Sequence, residues 1–288
     1  MRLSPRVAIL HGAVLHALIA ACPATVAAYC RTTTEEPDAG AAPDACPSGG
    51  VPLYWPTREL GYAINQRGFP GLSEAALRAV LESSFGAWTE VDCDGEPIEL
   101  LIAQAELLTD LEPRSKDVEP RPNVMAHIPA AEWTDDEHAF AITKLRFSPR
   151  TGHILGVDML FNGGKDPFIV CPDAGCDEGE IGTDLPNVVT HEAGHFFGLA
   201  HSDEPDSTMW YDAKGSDTDK RSLEADDQAG ICAIYGPDAA LGPPPIPRSQ
   251  GGGGQCQLPS APPPPGIGLG PGWLLLILTG WGLVRVRR

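Results

Sequence analysis

Apolar residues recur at three- and four-residue steps over residues 72–88, a spacing that predicts an amphipathic helix. Ser73 is placed to cap its N-terminus, and Glu74 adds an acidic side chain to the first turn. The apolar stripe consists of Ala76, Leu77, Val80, Leu81, Phe85 and Trp88. We therefore expect this face of the helix to belong to the core.

Other segments have the composition of strands. Residues 97–103 and 122–128 are predicted to be strands, separated by a charged, proline-bearing insertion around 109–121. Residues 154–162 form a further β-rich run. A second helix is predicted over residues 185–199, with Val188, Val189, Phe196 and Phe197 available for packing.

The beginning of the chain has the layout of a secretory signal peptide, residues 1–28. Two arginines precede a mostly apolar stretch, and small residues at 26–28 offer a cleavage site after Ala28. Residues 19–22 resemble a bacterial lipobox, so lipidation at Cys22 is the alternative to cleavage after Ala28, which we prefer. In both cases the rest of the chain is predicted to be exported.

The end of the chain changes character after Gly236. Residues 238–266 are rich in Pro and Gly and are predicted to form a linker. Residues 267–284 are mostly apolar and barely long enough to span a bilayer, and a cluster of arginines follows. Residues 267–288 therefore resemble bacterial sorting or anchoring signals and predict permanent or transient membrane attachment. The protein is expected to be secreted or anchored at the cell surface.

Between these ends the 288-residue chain is predicted to hold one folded domain, residues 51–237, preceded by an exposed polar arm, residues 29–50. A net charge of −19 argues against nucleic acid as a partner, because phosphate binding needs a basic surface. The acidic surplus favours solubility of an exported protein. We expect the domain to act as a monomer.

Export would permit disulfides, and seven of the eight cysteines lie beyond Ala28. Connectivity cannot be deduced from sequence alone. The preferred pairs are Cys171 with Cys176, Cys30 with Cys46, and Cys93 with Cys232, which leave Cys256 over in the C-terminal region.

The candidate chemistry lies in residues 191–201, which read HEAGHFFGLAH. His191 and His195 share one face of a helix because they are four positions apart. Gly198 can end that helix, so that His201 returns as a third ligand. Three histidine ligands leave one coordination position open, which is typical of a catalytic zinc site.

Glu192 follows the first ligand directly, so its carboxylate can reach a metal-bound water without binding the metal itself. A short H-E-x-x-H sequence is only moderately specific for zinc. The eleven-residue form is far harder to reach by chance, which makes an ordinary surface or core helix the weaker interpretation.

This extended motif, followed by Met209, resembles the metzincin clan of zinc endopeptidases. Ser202, directly after the third histidine, is similar to the matrixin branch of that clan. Downstream residues in the same order as in matrixins are Leu223, Asp226, Asp227, Gly230, Ile231, Tyr235 and Gly236. The resemblance covers roughly residues 50–237 and is sharp only over 185–236.

The resemblance implies an α+β fold of the metzincin type. It predicts a twisted mixed sheet with an antiparallel edge strand over the cleft, an active-site helix, and a C-terminal helix after the Met-turn, the turn that contains Met209. Residues 60–64 resemble the first strand, and residues 154–162 are expected to edge the cleft and pair with an extended substrate. Met209 is expected to form an apolar floor beneath the metal.

The activity implied is hydrolysis of internal peptide bonds in extended polypeptides, with Glu192 as general base toward a zinc-bound water. Tyr211 stands two positions after Met209, as in astacins and serralysins, where such a tyrosine assists catalysis. Matrixins generally lack that role, so Tyr211 is interpreted either as a catalytic residue or as a wall of the substrate pocket. The alternative function is a surface-anchored, non-proteolytic zinc-containing binding protein, which the intact Glu192 disfavours.

The same resemblance raises two further candidate metal sites. Structural Ca²⁺ would suit the acidic loop before the zinc helix, although its spacing matches no fixed motif and a solvated acidic loop is preferred. The acidic residues are Asp173, Asp177, Glu178, Glu180 and Asp184. His127, His138 and His153 are candidates for a second zinc, but their surroundings do not match the family's site, and we interpret them as ordinary residues.

Overall fold

A computed structural model describes residues 29–35, 42, 45–110, 112–113, 122–172, 176, 182–237 and 239, with the backbone only over 104–109. The predicted signal peptide, the predicted linker apart from Ala239, the predicted C-terminal segment, Cys22 and Cys256 lie outside the described residues, so those predictions stay predictions. Within the part of the chain that is described, no helix is both long and apolar enough to cross a bilayer.

Nine strands and three α-helices follow one another in the described residues. The strands are β1 (Glu59–Asn65), β2 (Asp92–Cys93), β3 (Glu96–Pro97), β4 (Leu101–Thr109), β5 (Asn123–Pro129), β6 (Ala141–Phe147), β7 (Ile154–Gly163), β8 (Phe168–Ile169) and β9 (Thr183–Asp184). The helices are α1 (Glu74–Thr89), α2 (Leu185–Phe196) and α3 (Ala225–Tyr235), and a 3-10 helix spans Asp219–Arg221.

Five strands form one mixed sheet in the order β4-β1-β5-β7-β6. The first four strands in this order run parallel to one another, whereas β6 pairs antiparallel with β7 and forms an edge of the sheet. This arrangement confirms the predicted α+β fold, with one antiparallel edge strand and a helix after the Met-turn.

One strand assignment was wrong. Residues 154–162 were expected to edge the cleft, but they belong to β7, which is paired on both sides. The edge position belongs to β6, whose side chains are mostly half-buried. Residues buried on both faces favour an interior strand, and the nearly continuous burial of β7 fits that position.

Helix α1 confirms the helix predicted from apolar spacing. Ser73 accepts a hydrogen bond from the Ala76 N–H at 3.1 Å, as an N-cap should, and the stripe from Leu77 to Trp88 is buried.

The prediction of a strand over residues 97–103 is partly wrong. Its first residue lies in β3, and β4 begins at Leu101 and runs into the predicted insertion because it pairs with β1.

The core lies between one face of this sheet and the helices α1 and α2. Trp88, Phe85 and Phe196 are fully buried there, together with Met125 from the sheet. Side chains alternate between the faces of a strand, so the neighbours of Met125 in β5 point to the other face. That face carries a smaller apolar cluster of Val124, Ala126, Ile128 and Leu160, with Trp133 against it.

The predicted exposed arm is only partly exposed. Residues 29–33 are half-buried or buried, and Arg31 pairs with Leu199 while Thr33 pairs with Pro52. The Arg31 guanidinium also donates to the Leu53 carbonyl oxygen at 2.5 Å. The expectation of an exposed arm was wrong here because its polar groups find partners both just after α2 and in residues 52–53.

Three disulfides lie within the described part of the chain, and they are the three preferred pairs. Cys30–Cys46 closes the arm, Cys171–Cys176 closes a short loop, and Cys93–Cys232 joins β2 to α3. Cys30 is therefore engaged in a bridge within the arm.

Candidate active site

Helix α2 carries the predicted zinc ligands and is fixed at both ends. Asp184 accepts a hydrogen bond from the Asn187 N–H at its N-terminus, and Pro186 occupies the first turn. The helix ends at Phe196, slightly earlier than predicted. Gly198 then adopts a φ of +98°, and a side chain there would lie 2.6 Å from the Leu53 carbonyl oxygen. Only glycine therefore allows the turn that brings back the third histidine.

The structure brings the three predicted ligands together. The ring centroids of His191 and His195 are 4.9 Å apart, and the His201 ring lies 5.3 Å and 4.9 Å from them. The potential ligand atoms all lie within 4.8 Å of one another, close enough to share one ion. Among the described residues, this is the one cluster of at least three possible ligand side chains.

Hydrogen bonds from the rings select the nitrogen that faces the metal site. The Nδ1 atom of His191 contacts the Thr208 carbonyl oxygen at 2.7 Å, and Nδ1 of His195 contacts the Leu199 carbonyl oxygen at 2.9 Å. A carbonyl only accepts, so Nδ1 carries the proton and Nε2 keeps its lone pair for a metal. Burial lowers the pKa of His195 to about 4 and that of His191 well below its usual value, which favours the neutral, metal-binding form. The donor set thus fits catalytic zinc.

The Met-turn lies under the helix, as expected. A side chain at Gly194 would meet the Met209 sulfur at 2.2 Å and the Trp88 ring at 2.8 Å, so a glycine is required for this close approach. The buried carboxylate of Asp227 in α3 accepts from the N–H groups of Thr208 and Met209, at 2.8 Å and 3.1 Å. Helix α3 therefore holds the turn in position beneath the ligands.

Glu192 is buried, and its carboxylate contacts the edge strand. The Thr143 hydroxyl donates to Oε2 of Glu192 at 2.6 Å. Burial raises the pKa of Glu192 to about 7, while the bond from Thr143 and the charge of Lys220 act in the opposite direction. A pKa close to neutral suits a group that takes up and gives back a proton near neutral pH.

A cavity of about 670 Å³ opens above the three histidines and Glu192. Ala141, Thr143 and Leu145 of β6 line it, as does Tyr211. The Tyr211 ring is 42% exposed and lies 6.4 Å from the His201 ring, centroid to centroid, so it borders the site without being enclosed in it. This position is compatible with both interpretations of Tyr211.

The three histidines that were considered for a second zinc and interpreted as ordinary residues do not cluster with one another, although His138 borders the cavity. His127 packs against Phe69 and Phe168, His153 packs edge-on against Tyr54, and His138 is largely exposed. These histidines occupy three separate environments.

Asp184 is not available to calcium. Its buried carboxylate forms two bonds with the Arg221 guanidinium, at 2.6 Å and 2.8 Å, and also caps α2. The other four acidic residues proposed for calcium lie outside the described residues.

Several residues of the site had no role in the prediction. Thr143, Asn187 and Lys220 all line the cavity. Thr143 and Lys220 lie far from the zinc motif along the chain, and Asn187 belongs to no recognisable ligand spacing. A threonine 49 positions before the base gives no local pattern that could have revealed its contact. Such contacts follow only from the pairing of β6 with the rest of the sheet.

Comparison with known proteins agrees with the geometry. Residues 116–236 match the family model described as Matrixin. The chain is 41% identical over 90 residues to matrilysin of Rattus norvegicus, covering 31% of this chain and 30% of that protein. It is 42% identical over 62 residues to Metalloendoproteinase 1-MMP of Arabidopsis thaliana, covering 22% and 17%. It is 26% identical over 184 residues to Metalloendoproteinase 4-MMP of the same plant, covering 62% and 46%.

The chain thus spans less than half the length of each of these relatives. The matched region nevertheless contains the edge strand, the zinc helix, the Met-turn and α3. The edge strand and the zinc helix line much of the cavity, and α3 holds the Met-turn in place. Residues 116–236 therefore resemble a matrixin domain both in sequence and in the geometry of the histidine cluster.

Proposed function

We propose that this domain is an exported, zinc-dependent endopeptidase that hydrolyses internal bonds of extended polypeptides. The observation that supports it most directly is the position of Glu192. Its buried carboxylate faces the same cavity as the three histidines and belongs to the residue next to His191. A structural zinc site needs no such base, whereas hydrolysis does.

His191, His195 and His201 would hold the zinc, the first two through Nε2. When bound, zinc supplies a Lewis acid that acidifies a water and polarises the substrate carbonyl. Glu192 takes up the proton of the attacking water and delivers it to the departing amine. Thr143 orients the carboxylate for both transfers through its 2.6 Å hydrogen bond.

The edge strand β6 provides a surface for an extended peptide. Main-chain pairing with an edge strand holds a peptide largely independently of its sequence. Because Ala141, Thr143 and Leu145 line the cavity, a peptide paired antiparallel with β6 would cross the zinc site. The scissile bond would then lie beside Glu192.

Tyr211 is the second residue to which we assign a catalytic role. Its ring stands at the cavity next to His201, where a hydroxyl could donate a hydrogen bond to the oxygen of the polarised carbonyl. The rival role, a wall for the substrate side chain, uses the ring alone.

Export is supported by the three disulfides, because such bonds persist mainly in oxidising compartments. The predicted signal peptide and the predicted C-terminal attachment agree with this proposal. Secretion and anchoring at the cell surface are both compatible with it.

Glu192→Gln tests the function directly. The variant keeps the ligands and should retain stoichiometric zinc, yet its turnover of a peptide library should fall by several orders of magnitude because the base is gone. Metal content by mass spectrometry and cleavage of the library are measured on the same preparations, with and without a chelator. Unchanged turnover in the zinc-loaded variant would remove Glu192 from its role. Wild-type protein that holds zinc but cleaves no peptide would support the non-proteolytic alternative.

A further inference from the structure

Lys220 places a positive charge in the wall of the catalytic cavity. It belongs to the 3-10 helix that packs beside α2 and is only 9% exposed. It lines the cavity together with Asn187, Val188 and Tyr211. A buried lysine is uncommon unless it has a partner, so this side chain calls for an explanation.

Lys220 is held from two sides. Its backbone N–H donates to Oδ1 of Asn187 at 2.7 Å, and its ammonium donates to the carbonyl oxygen of Trp210. An ammonium has three donors, so this carbonyl satisfies only one of them. Within the described part of the chain, no carboxylate lies at ion-pair distance from the ammonium, although Asp212 and Glu192 contribute to the field around it.

The direction of β6 shows which half of a substrate passes Lys220. At the start of β6, Ala141 pairs with Phe161, and the Phe161 ring packs against Phe168 at 5.8 Å. Phe168 lies in β8, which pairs with β9, and α2 begins directly after β9. The start of β6 therefore lies on the side of the start of α2.

At the other end of β6, Phe147 pairs with Ile154. A side chain at Gly198, just after α2, would lie 3.7 Å from Ile154. Hence β6 and α2 run in the same direction. A peptide antiparallel to β6 would place the residues that follow its scissile bond over the first turns of α2, where Asn187, Val188 and Lys220 line the cavity.

We propose that Lys220 is a specificity-determining residue that selects an acidic side chain, preferably glutamate, at the first substrate position after the scissile bond. The inference rests on the proposed peptidase function. An incoming carboxylate would accept from the remaining ammonium donors, forming a charge-assisted hydrogen bond inside a partly dehydrated cavity. An apolar side chain in the same place would leave those donors without a partner, which lowers its relative rate.

A structural role for Lys220 is the main rival. The ammonium bond to Trp210 ties the 3-10 helix to the Met-turn, so loss of Lys220 could lower stability and overall turnover. Such a loss would affect all substrates alike. Discrimination between glutamate and its neutral isostere glutamine would change only if the ammonium contacts the substrate.

The test uses the full-length, zinc-loaded protein and three peptides of one sequence, amidated at the C-terminus so that no terminal carboxylate competes. The peptides carry Glu, Gln or Leu directly after the scissile bond. We expect kcat/KM for the Glu peptide to exceed that for the Gln peptide by about tenfold or more. In Lys220→Met this ratio should fall to about one, and the Leu peptide should gain relative to both.

Lys214→Met is the matched control, since Lys214 is exposed on the same loop and does not line the cavity. It should leave the Glu-to-Gln ratio unchanged, and Lys220→Arg should keep the ratio above one. If Lys220→Met fails to fold, the wild-type ratio and Lys220→Arg decide the matter. Equal wild-type rates for Glu and Gln would overturn the inference and leave the peptidase function standing. No cleavage of any of the three peptides by zinc-loaded protein would overturn both.

Discussion

The hydrogen bond from Thr143 to Glu192 stabilises the charged form of the proposed base. Burial acts in the opposite direction and raises the pKa of Glu192, so the balance between the two sets the pH at which the carboxylate can accept a proton. In the proposed mechanism the edge strand would thereby affect the chemistry as well as the binding of substrate.

Thr143→Val should raise the pKa of Glu192, because it removes a donor to the carboxylate and leaves the burial in place. A raised pKa means that more of the base is protonated at a given pH, so the acid limb of kcat/KM should move to higher pH. We expect a loss of about tenfold at pH 6, shrinking as the pH rises. Thr143→Ser keeps the donor and should keep the wild-type profile. A loss of equal size at every pH would contradict this account.

Tyr211→Phe separates the two roles of that side chain. Removal of the hydroxyl should lower kcat by about tenfold or more if it stabilises the developing oxyanion, while KM changes little. The ring is retained, so a wall of the pocket would be preserved. Rates equal to the wild type in a steady-state assay would assign Tyr211 to the pocket wall.

At the scale of residues, the sequence predicts those members of the site that lie close together along the chain. His191, His195, Glu192 and His201 follow from helical spacing and one glycine turn, and the structure places them at one cavity. Lys220 reaches the cavity through packing of the 3-10 helix on α2, which no spacing rule encodes. Its burial could not be inferred from the acidic stretch in which it occurs.

At the scale of elements, one buried ion pair joins the 3-10 helix to the start of α2. The Arg221 guanidinium contacts both oxygens of Asp184 and also donates to the Cys171 carbonyl oxygen at 2.8 Å. Asp184 is fully buried, so Arg221 supplies the opposite charge that water cannot offset there. The pair thereby fixes the element that carries Lys220 relative to the zinc helix.

Arg221→Met should destabilise the domain by about 3–5 kcal/mol, because it leaves a buried carboxylate without its cation. Urea unfolding followed by tryptophan fluorescence gives the free energy of unfolding. Arg78→Met, which removes an exposed pair with Glu74 on α1, is the control and should cost about 1 kcal/mol or less. Similar losses in the two variants would show that the Asp184 pair is not important for stability.

The bounds of most elements were predicted more accurately than the order of the strands in the sheet, for a physical reason. The apolar stripe of α1 and the ligand spacing of α2 are local patterns, so their bounds came within a few residues. Which strand occupies the edge depends on pairing between distant segments. Residues 154–162 have the apolar character of a buried strand, and the expectation that they edge the cleft failed because β6 lies outside them.

At the scale of the whole molecule, Cys93–Cys232 is the bridge with the longest span. The paired cysteines are 139 positions apart, against 5 for Cys171–Cys176. If a disulfide acts mainly by restricting the unfolded chain, its contribution grows with the length of the loop that it closes.

Replacing Cys93 and Cys232 by alanine should therefore cost up to about 5 kcal/mol of unfolding free energy, and replacing Cys171 and Cys176 about 2 kcal/mol. Denaturant unfolding of both double variants gives the comparison, and each preparation serves as the control for the other. An equal or larger loss from the shorter loop would show that loop length does not set the contribution of these bridges.

The two imidazole-to-carbonyl bonds described above have an evolutionary consequence. Their acceptors, at Leu199 and Thr208, are main-chain atoms, which every amino acid supplies. Exchange of side chains at these two positions therefore leaves the acceptors in place, provided that the backbone keeps its path. A single inserted or deleted residue between them would displace one acceptor and let a ring rotate. Apart from the ligand His201, we expect related sequences to vary more freely in composition than in length over residues 199–208.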